Sequence, residues 1–156
     1  MADATPAFRE PSALERVFNR VFGTFVGLGV APRDYYLLQV KGRKSGRVYG
    51  TPVSLVSLHG VWFLVAPRGR TQWVRNAEAA NEVALKRGST RRRFGLRALA
   101  DADKPPVLLA YLERYRSVVQ RYFPVPAGSP VGAFAEIAAS YPVFELVPLG
   151  ETAADR

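Results

Sequence analysis

Short β-rich segments separated by tight turns occupy most of the chain, and this pattern limits the possible folds more than any other feature. The segments predicted as strands are 36–40, 49–58, 61–66, 82–86, 93–100 and 143–147. His59-Gly60 and Gly88-Ser89 are typical hairpin turns between consecutive segments. Because hairpins join antiparallel neighbours, we predict a mainly β (α+β) fold. It would be an antiparallel sheet or small barrel with flanking helices, not a doubly wound parallel sheet.

Helical patterns flank the predicted strands. Helices are predicted at 12–28, 72–80, 105–122 and 131–140. The first has Ser12 and Glu15 at capping-box spacing and an apolar stripe. It packs on the body of the domain or lies against a membrane or partner surface. The third begins with Pro105, and we expect Asp101 and Asp103 to cap it.

The composition excludes several kinds of reactive centre. The 156 residues are expected to form one domain, 1–156, with flexible ends at 1–11 and 150–156. There is no cysteine and one histidine, His59, which excludes thiol nucleophiles, zinc–thiolate sites and iron–sulfur clusters. The acidic residues show no metal-ligand spacing and no obvious acid pair, so we predict no metal site. An enzyme with this composition would rely on a bound organic cofactor.

The net charge of +9 favours an anionic partner. Nucleic acid, an acidic membrane surface and a phosphorylated or carboxylated small molecule all fit this charge, as does an arginine-rich surface kept for solubility. Residues 1–11 lack the apolar core of a secretory signal, and glycine, proline and polar residues interrupt the uncharged stretches. We expect a cytoplasmic protein, with membrane association through helix 12–28 left open.

Two basic loops are the candidate ligand-binding elements. In the first, Gly42 and Gly46 frame Arg43, Lys44 and Ser45, so that charge, a hydroxyl and backbone N–H groups suit a phosphate or carboxylate. The same segment also fits a solvated hairpin tip.

The second basic loop contains Arg68 and Gly69 and leads into the helix at 72–80. A helix N-terminus favours anions, and Arg75 and Asn76 add donors. Trp73 fits either a ligand contact or a core anchor.

A third basic cluster lies around the predicted turn at Gly88-Ser89. It contains Arg87, Arg91, Arg92 and Arg93. Alternation along a strand places Arg91 and Arg93 on one face and Arg92 on the other. We favour a solvated face, with binding to acidic lipid headgroups or nucleic acid as the alternatives.

The stretch from Gly42 to Arg47, followed by Thr51-Pro52-Val53, resembles the G-R-K-S-G…T-P-L signature of the deazaflavin-dependent nitroreductase family. The block from Thr71 to Asn76 resembles that family's W-x-x-N segment. Members are F420-dependent oxidoreductases of the flavin/deazaflavin oxidoreductase superfamily. The resemblance covers residues 36–100 and includes the closing strand, and it implies a split β-barrel that binds coenzyme F420.

The resemblance implies roles for particular residues. The anionic phosphate and polyglutamate tail of F420 would meet the first loop, and the deazaflavin ring would lie beside the strand that follows it. The residues implied to bind the cofactor are Arg43, Lys44, Ser45, Tyr49, Thr51, Pro52, Val53, Ala66, Pro67, Arg68, Gly69, Gln72, Trp73, Arg75 and Asn76. Tyr122, Phe134 and Tyr141 are loose counterparts of the family's substrate-side tyrosines, so no proton donor is assigned.

The sequence therefore predicts an F420H2-dependent reductase of a small hydrophobic acceptor such as a quinone or nitroaromatic. Helices 12–28 and 105–122 would form the mouth of the substrate pocket. The alternatives are a non-enzymatic basic barrel that binds nucleic acid or carries a ligand, and an FMN-dependent reductase on the same fold. We favour the first hypothesis because no nucleic-acid-binding signature accompanies the charge.

Overall fold

The computed structural model describes residues 35–150. The strands are β1 (Tyr35–Lys41), β2 (Val48–Leu58), β3 (Val61–Val65), β4 (Glu82–Arg87), β5 (Thr90–Ala98) and β6 (Val143–Pro148). The helices are α1 (Gln72–Ala80), α2 (Pro105–Val119) and α3 (Val131–Ala135), with 3₁₀ turns at Asp101–Asp103, Gln120–Tyr122 and Ala138–Ser140. The predicted helix at 12–28 lies outside the described residues. Among residues 35–150, no helix combines the length and hydropathy needed to cross a bilayer.

The six strands form a closed barrel in the order β1-β2-β3-β6-β5-β4, and every pairing is antiparallel. The predicted antiparallel barrel with flanking helices is therefore confirmed. Its hairpin turns form where the sequence indicated them. His59 and Gly60 have φ values of 52° and 79°, the left-handed pair that a two-residue hairpin turn requires. Gly88, with φ of 60°, lies in the turn between β4 and β5.

Two apolar cores stabilise the fold. The first fills the barrel with the inward side chains of all six strands, including Leu38, Leu64 and Phe144, and α1 adds Val74 and Ala77 to it. The second lies between the outer face of the barrel and the helical segments that follow β5. Leu108, Leu112, Tyr115, Phe134 and Val143, all at most 1% exposed, belong to this second core. Burial on both sides of the sheet explains why several strands contain long apolar runs.

A buried hydrogen bond attaches α2 to the barrel. The Tyr115 hydroxyl donates to the backbone carbonyl of Leu55 in β2, with an O···O distance of 2.5 Å. Tyr115 itself leaves the helical region of backbone space, at φ −116° and ψ 21°, so α2 is kinked at this residue.

The expectation that Asp101 and Asp103 cap the helix at 105–122 is wrong. They form a 3₁₀ turn, and Lys104 takes the N-cap position without a side-chain capping bond. The Lys104 side chain, which is 6% exposed, donates from Nζ to the carbonyl of Ala138 at 3.1 Å and pairs with Asp101 Oδ1 at 2.7 Å. A buried ammonium needs such partners, and these two contacts provide them.

We expect Tyr115→Phe to destabilise the fold by about 1–3 kcal/mol, because it leaves the Leu55 carbonyl buried without a donor. The control is Tyr36→Phe, which removes a surface hydroxyl bonded to Arg87 at 3.4 Å and should cost less than about 0.5 kcal/mol. Urea denaturation of both variants measures the difference. Equal stability of the two variants would contradict the assigned role of Tyr115.

Candidate functional site

A cavity of about 980 Å³ opens at the edge of the barrel. It lies between the β1–β2 loop, the following part of β2, the loop from β3 to the start of α1, and the end of α2 with the turn after it. A cavity of this volume accommodates a cofactor or a large organic ligand. These elements differ in the charge and polarity of the side chains that they place along the cavity wall.

The β1–β2 loop, residues 42–47, is tightly folded around its glycines. The amide of Gly42 donates to the carbonyl of Arg47 at 2.6 Å, and that of Gly46 donates to Gly42 at 3.0 Å. A Cβ atom at Gly42 would lie 2.7 Å from a Tyr49 ring carbon and 2.8 Å from Ser45 Oγ. The hydroxyls of Ser45 and Tyr49 are themselves 3.2 Å apart. Glycine at 42 therefore lets the loop close and leaves Lys44 at its exposed tip.

Asn76 of α1 anchors this loop. Its Oδ1 accepts hydrogen bonds from the backbone N–H of Arg43 at 3.1 Å and from Arg43 Nη1 at 2.7 Å. Gln72 Oε1 accepts a further bond from Arg43 Nη2 at 3.0 Å. Both acceptors are neutral amides, so the guanidinium is fixed in place while its positive charge is retained.

The second loop brings the start of α1 to the cavity. Gly69, at φ 80°, donates to the carbonyl of Ala66 at 3.2 Å and accepts from the amide of Thr71 at 2.9 Å. Thr71 is the N-cap of α1, yet its side chain makes no capping bond, and its Oγ1 is buried without a partner among residues 35–150. The first N–H groups of α1 lack intrahelical acceptors. The loop thus presents several unused donors beside the cavity.

The end of α2 forms a largely apolar and aromatic wall. The contributing residues are Tyr111, Val118, Val119, Arg121 and Tyr122. Arg121 lies over the Tyr122 ring, with 4.9 Å from Cζ to the ring centroid, and donates to its hydroxyl at 2.9 Å. Burial raises the pKa of Tyr111 above its ordinary value, and the neighbouring phenols of Tyr115, Tyr35 and Tyr122 raise it further.

The charge around the cavity is entirely positive. Among the described residues, its walls contain Arg43, Lys44, Arg68 and Arg121 but no aspartate or glutamate. In the same part of the chain, no carboxylate pairs with Lys44 or Arg68. Cations without a carboxylate partner in residues 35–150, next to a helix N-terminus, are suited to an anion that carries more than one negative group.

The structure brings together the predicted cofactor-binding residues with one exception. Residues 43–45, 49, 51–53, 66–69, 72, 73 and 76 all line the cavity. Arg75 does not, because on α1 it points to the exposed side. Trp73 both lines the cavity and packs on the barrel core, so the two interpretations of this residue are compatible.

Sequence reasoning missed several lining residues. Thr71 was matched only as the start of the W-x-x-N block, and Tyr122 was given only a loose correspondence. Tyr111, Val118 and Arg121 were included only as part of helix 105–122, which was predicted to lie at the mouth of the pocket. A signal was present: Tyr111, Val118 and Tyr122 are spaced by seven and four residues, which places them on one helical face. Some residues of this helix, such as Leu108 and Leu112, lie in the core and not at the cavity, and their spacing alone does not show which.

The arginine-rich β4–β5 hairpin lies away from the cavity. Arg91 donates to Gln39 at 3.0 Å, Arg93 pairs with Glu82, and Arg92 lies over the Phe94 ring at 5.3 Å. Each of these three arginines thus contacts a side chain of its own barrel. Among residues 35–150, no cluster of three or more histidine or acidic side chains could hold a metal ion.

Comparisons with known proteins agree with this geometry. Two solved structures share the fold: a protein of unknown function from Agrobacterium tumefaciens, 20% identical with a TM-score of 0.52, and an F420-H2 dependent reductase named FDR-A, 21% identical with a TM-score of 0.51. The alignments cover 78% and 73% of this chain, and the chain spans 54% and 94% of those proteins. No curated protein matches the sequence.

The chain thus has the split-barrel fold that the resemblance implies. Residues 12–125 match the family model of the F420H(2)-dependent quinone reductases, and the chain belongs to that family. All of the cavity-lining residues lie within the matched range. The family assignment indicates coenzyme F420 as the cofactor and F420-dependent oxidoreduction as the chemistry.

We expect Asn76→Ala to loosen the β1–β2 loop, because two Arg43 donors lose their shared acceptor. The free energy of unfolding should fall by about 1–3 kcal/mol, and the amides of residues 43–46 should exchange with solvent faster. Gln72→Ala, which removes one exposed acceptor, is the matched control and should cost less than about 1 kcal/mol. Denaturation together with hydrogen exchange tests the assignment, and unchanged loop protection in Asn76→Ala would refute it.

Proposed function

We propose that the protein reduces a small hydrophobic acceptor, such as a quinone, with F420H2 bound in the cationic cavity. The observation that carries this proposal is the lining itself. The two loops contribute three cations, Arg43, Lys44 and Arg68, and the α2 side contributes a largely apolar, aromatic wall with Arg121 as a fourth cation. No carboxylate of the described residues lines the cavity. Coenzyme F420 combines an anionic phosphate and polyglutamate tail with a flat ring. The two parts of the ligand match the two kinds of wall.

The residues present fit the anionic part of the cofactor. Lys44 and Ser45 of the first loop and Arg68 of the second would hold negative oxygens, since both cations are exposed and unpaired within residues 35–150. The buried, unpartnered Oγ1 of Thr71 marks a donor that a ligand oxygen would satisfy. Arg43, held by Asn76, would add positive charge without needing to move.

The strand side of the cavity fits the ring. Pro52, Val53, Val65 and Ala66 give this wall an apolar surface, and Val53, Val65 and Ala66 are buried. The cofactor, when bound, supplies the hydride. The contribution of these residues is to orient the ring and to exclude water from the reacting face, which prevents loss of reducing equivalents to solvent.

The α2 side of the cavity fits the acceptor. Val118 and Val119 contribute aliphatic surface, and Tyr111 and Tyr122 contribute rings, next to the predicted cofactor position. A flat, weakly polar molecule would bury its faces against such a wall. A quinone has this shape and accepts two electrons together, which matches the hydride that F420H2 delivers.

We expect Lys44→Ala to weaken F420 binding by about tenfold, because a charge-assisted contact to the cofactor is lost. The matched control is Arg47→Ala: Arg47 is an exposed cation of the same loop that does not line the cavity, so its loss should change the affinity by less than about twofold. Quenching of F420 fluorescence measures both affinities. Wild-type affinity in Lys44→Ala would refute this site.

Affinity should also fall with added salt, more steeply for F420 than for FMN, because the polyglutamate tail brings additional charges within reach of the cations. Titration of each cofactor at two ionic strengths measures the slopes. Tighter binding of FMN than of F420 would replace the proposal with a flavin-dependent reductase. Binding of neither cofactor would contradict a cofactor-dependent enzyme altogether.

A further inference from the structure

Three tyrosines in the second core have hydroxyls in different situations. Tyr115 donates to the carbonyl of Leu55, and Tyr141 donates to the carbonyl of Tyr122. Tyr111 is just as buried, with 3% of its surface exposed, but its hydroxyl makes no hydrogen bond within residues 35–150. It is also the one of the three that lines the cavity. Its oxygen is not among the polar atoms of residues 35–150 that are sealed off from solvent without a partner. The hydroxyl is therefore open to the cavity that the residue lines, and it is available to a ligand oxygen there.

The Tyr111 ring is held firmly by its neighbours. The Tyr115 ring lies 5.4 Å away and the Phe123 ring 6.2 Å away, both in tilted arrangements. Phe123 in turn stacks on Tyr141, with centroids 4.5 Å apart. A phenol fixed in this way presents its O–H without reorganising when a ligand arrives, which is what an effective hydrogen-bond donor in an active site requires.

We propose that the Tyr111 hydroxyl donates a hydrogen bond to a carbonyl oxygen of the acceptor, and that this contact makes the cavity selective for hydride acceptors that carry such an oxygen. The inference rests on the proposed function, because it assumes that the acceptor lies against the α2 wall. It assigns a specificity-determining role to a residue that neither the sequence motifs nor the family match singled out.

Hydride transfer to a quinone creates negative charge on the oxygen that the Tyr111 hydroxyl would contact. A quinone that accepts a hydride, one proton with two electrons, becomes a hydroquinone monoanion with its charge on oxygen. One further proton completes the hydroquinone, and the two-electron oxidation of F420H2 to F420 releases that proton, so atoms and charge balance. A hydrogen bond to the oxygen becomes stronger as the charge develops and therefore lowers the barrier.

The Tyr111 hydroxyl would serve as a hydrogen-bond donor and not as the source of the proton. Burial and the adjacent phenols raise its pKa above the ordinary value, so the neutral form persists at physiological pH. A neutral phenol in a water-poor site can stabilise an oxyanion without ionising.

The test compares two hydride acceptors of similar size. Menadione is a naphthoquinone, whereas N-methylphenazinium contains no oxygen. Tyr111→Phe should lower kcat/KM for menadione roughly a hundredfold, change that for N-methylphenazinium by less than about twofold, and leave F420 affinity unchanged. Tyr115 is on the same helix but outside the cavity, so Tyr115→Phe should change kcat/KM for both acceptors by the same factor.

Several outcomes would overturn the inference. Menadione reduction by Tyr111→Phe at the wild-type rate, or an equal loss for both acceptors, would show that the hydroxyl does not contact the acceptor oxygen. A large fall in the melting temperature of Tyr111→Phe would show that the hydroxyl bonds to the protein itself and not to the acceptor. That result would also overturn the inference. Wild-type protein that fails to bind F420 or to reduce either acceptor would contradict the proposed function itself.

Discussion

The contact on which the candidate site depends is the shared acceptor at Asn76 Oδ1. Two donors of Arg43, one from the backbone and one from the side chain, meet this single oxygen and join the β1–β2 loop to α1. Together with the bond from Arg43 Nη2 to Gln72 Oε1, it holds the first loop against the start of α1. The two loops thus border one cationic rim. Arg43 keeps its positive charge there because its acceptors, on Asn76 and Gln72, are neutral amides.

The distribution of counterions separates the cationic rim from the rest of a basic surface. Arg70, next to the second loop, pairs with Glu78 at 2.9 Å, and Arg97 of β5 pairs with Glu145 at 2.6 Å. The cations that line the cavity have no such carboxylates within residues 35–150. Net charge alone does not reveal a ligand site, whereas charge left uncompensated around a concave surface does.

Much of the fold was predictable because its signals are local. The turn at His59-Gly60 and the β-branched segments on either side of it specify a hairpin, and β2 and β3 form as expected. Helix α1 has the predicted bounds. The expected caps at Asp101 and Asp103 do not form, and Asp101 Oδ1 pairs with the Lys104 side chain instead. Lys104 also donates to the carbonyl of Ala138, a contact between distant parts of the chain that no local pattern indicates.

Hydrophobic alternation and glycine-framed basic loops depend only on neighbours along the chain, so the strands, the turns and the residue types suited to an anion could be predicted from the amino-acid order. Which of those residues lie together depends on the folded barrel. Barrel closure and the kink at Tyr115 set Tyr111 and Tyr122 beside loops that lie far away in sequence, and the rotation of α1 turned Arg75 outward. The physical reason is that a cavity is defined by packing between distant elements, and no local pattern specifies that packing.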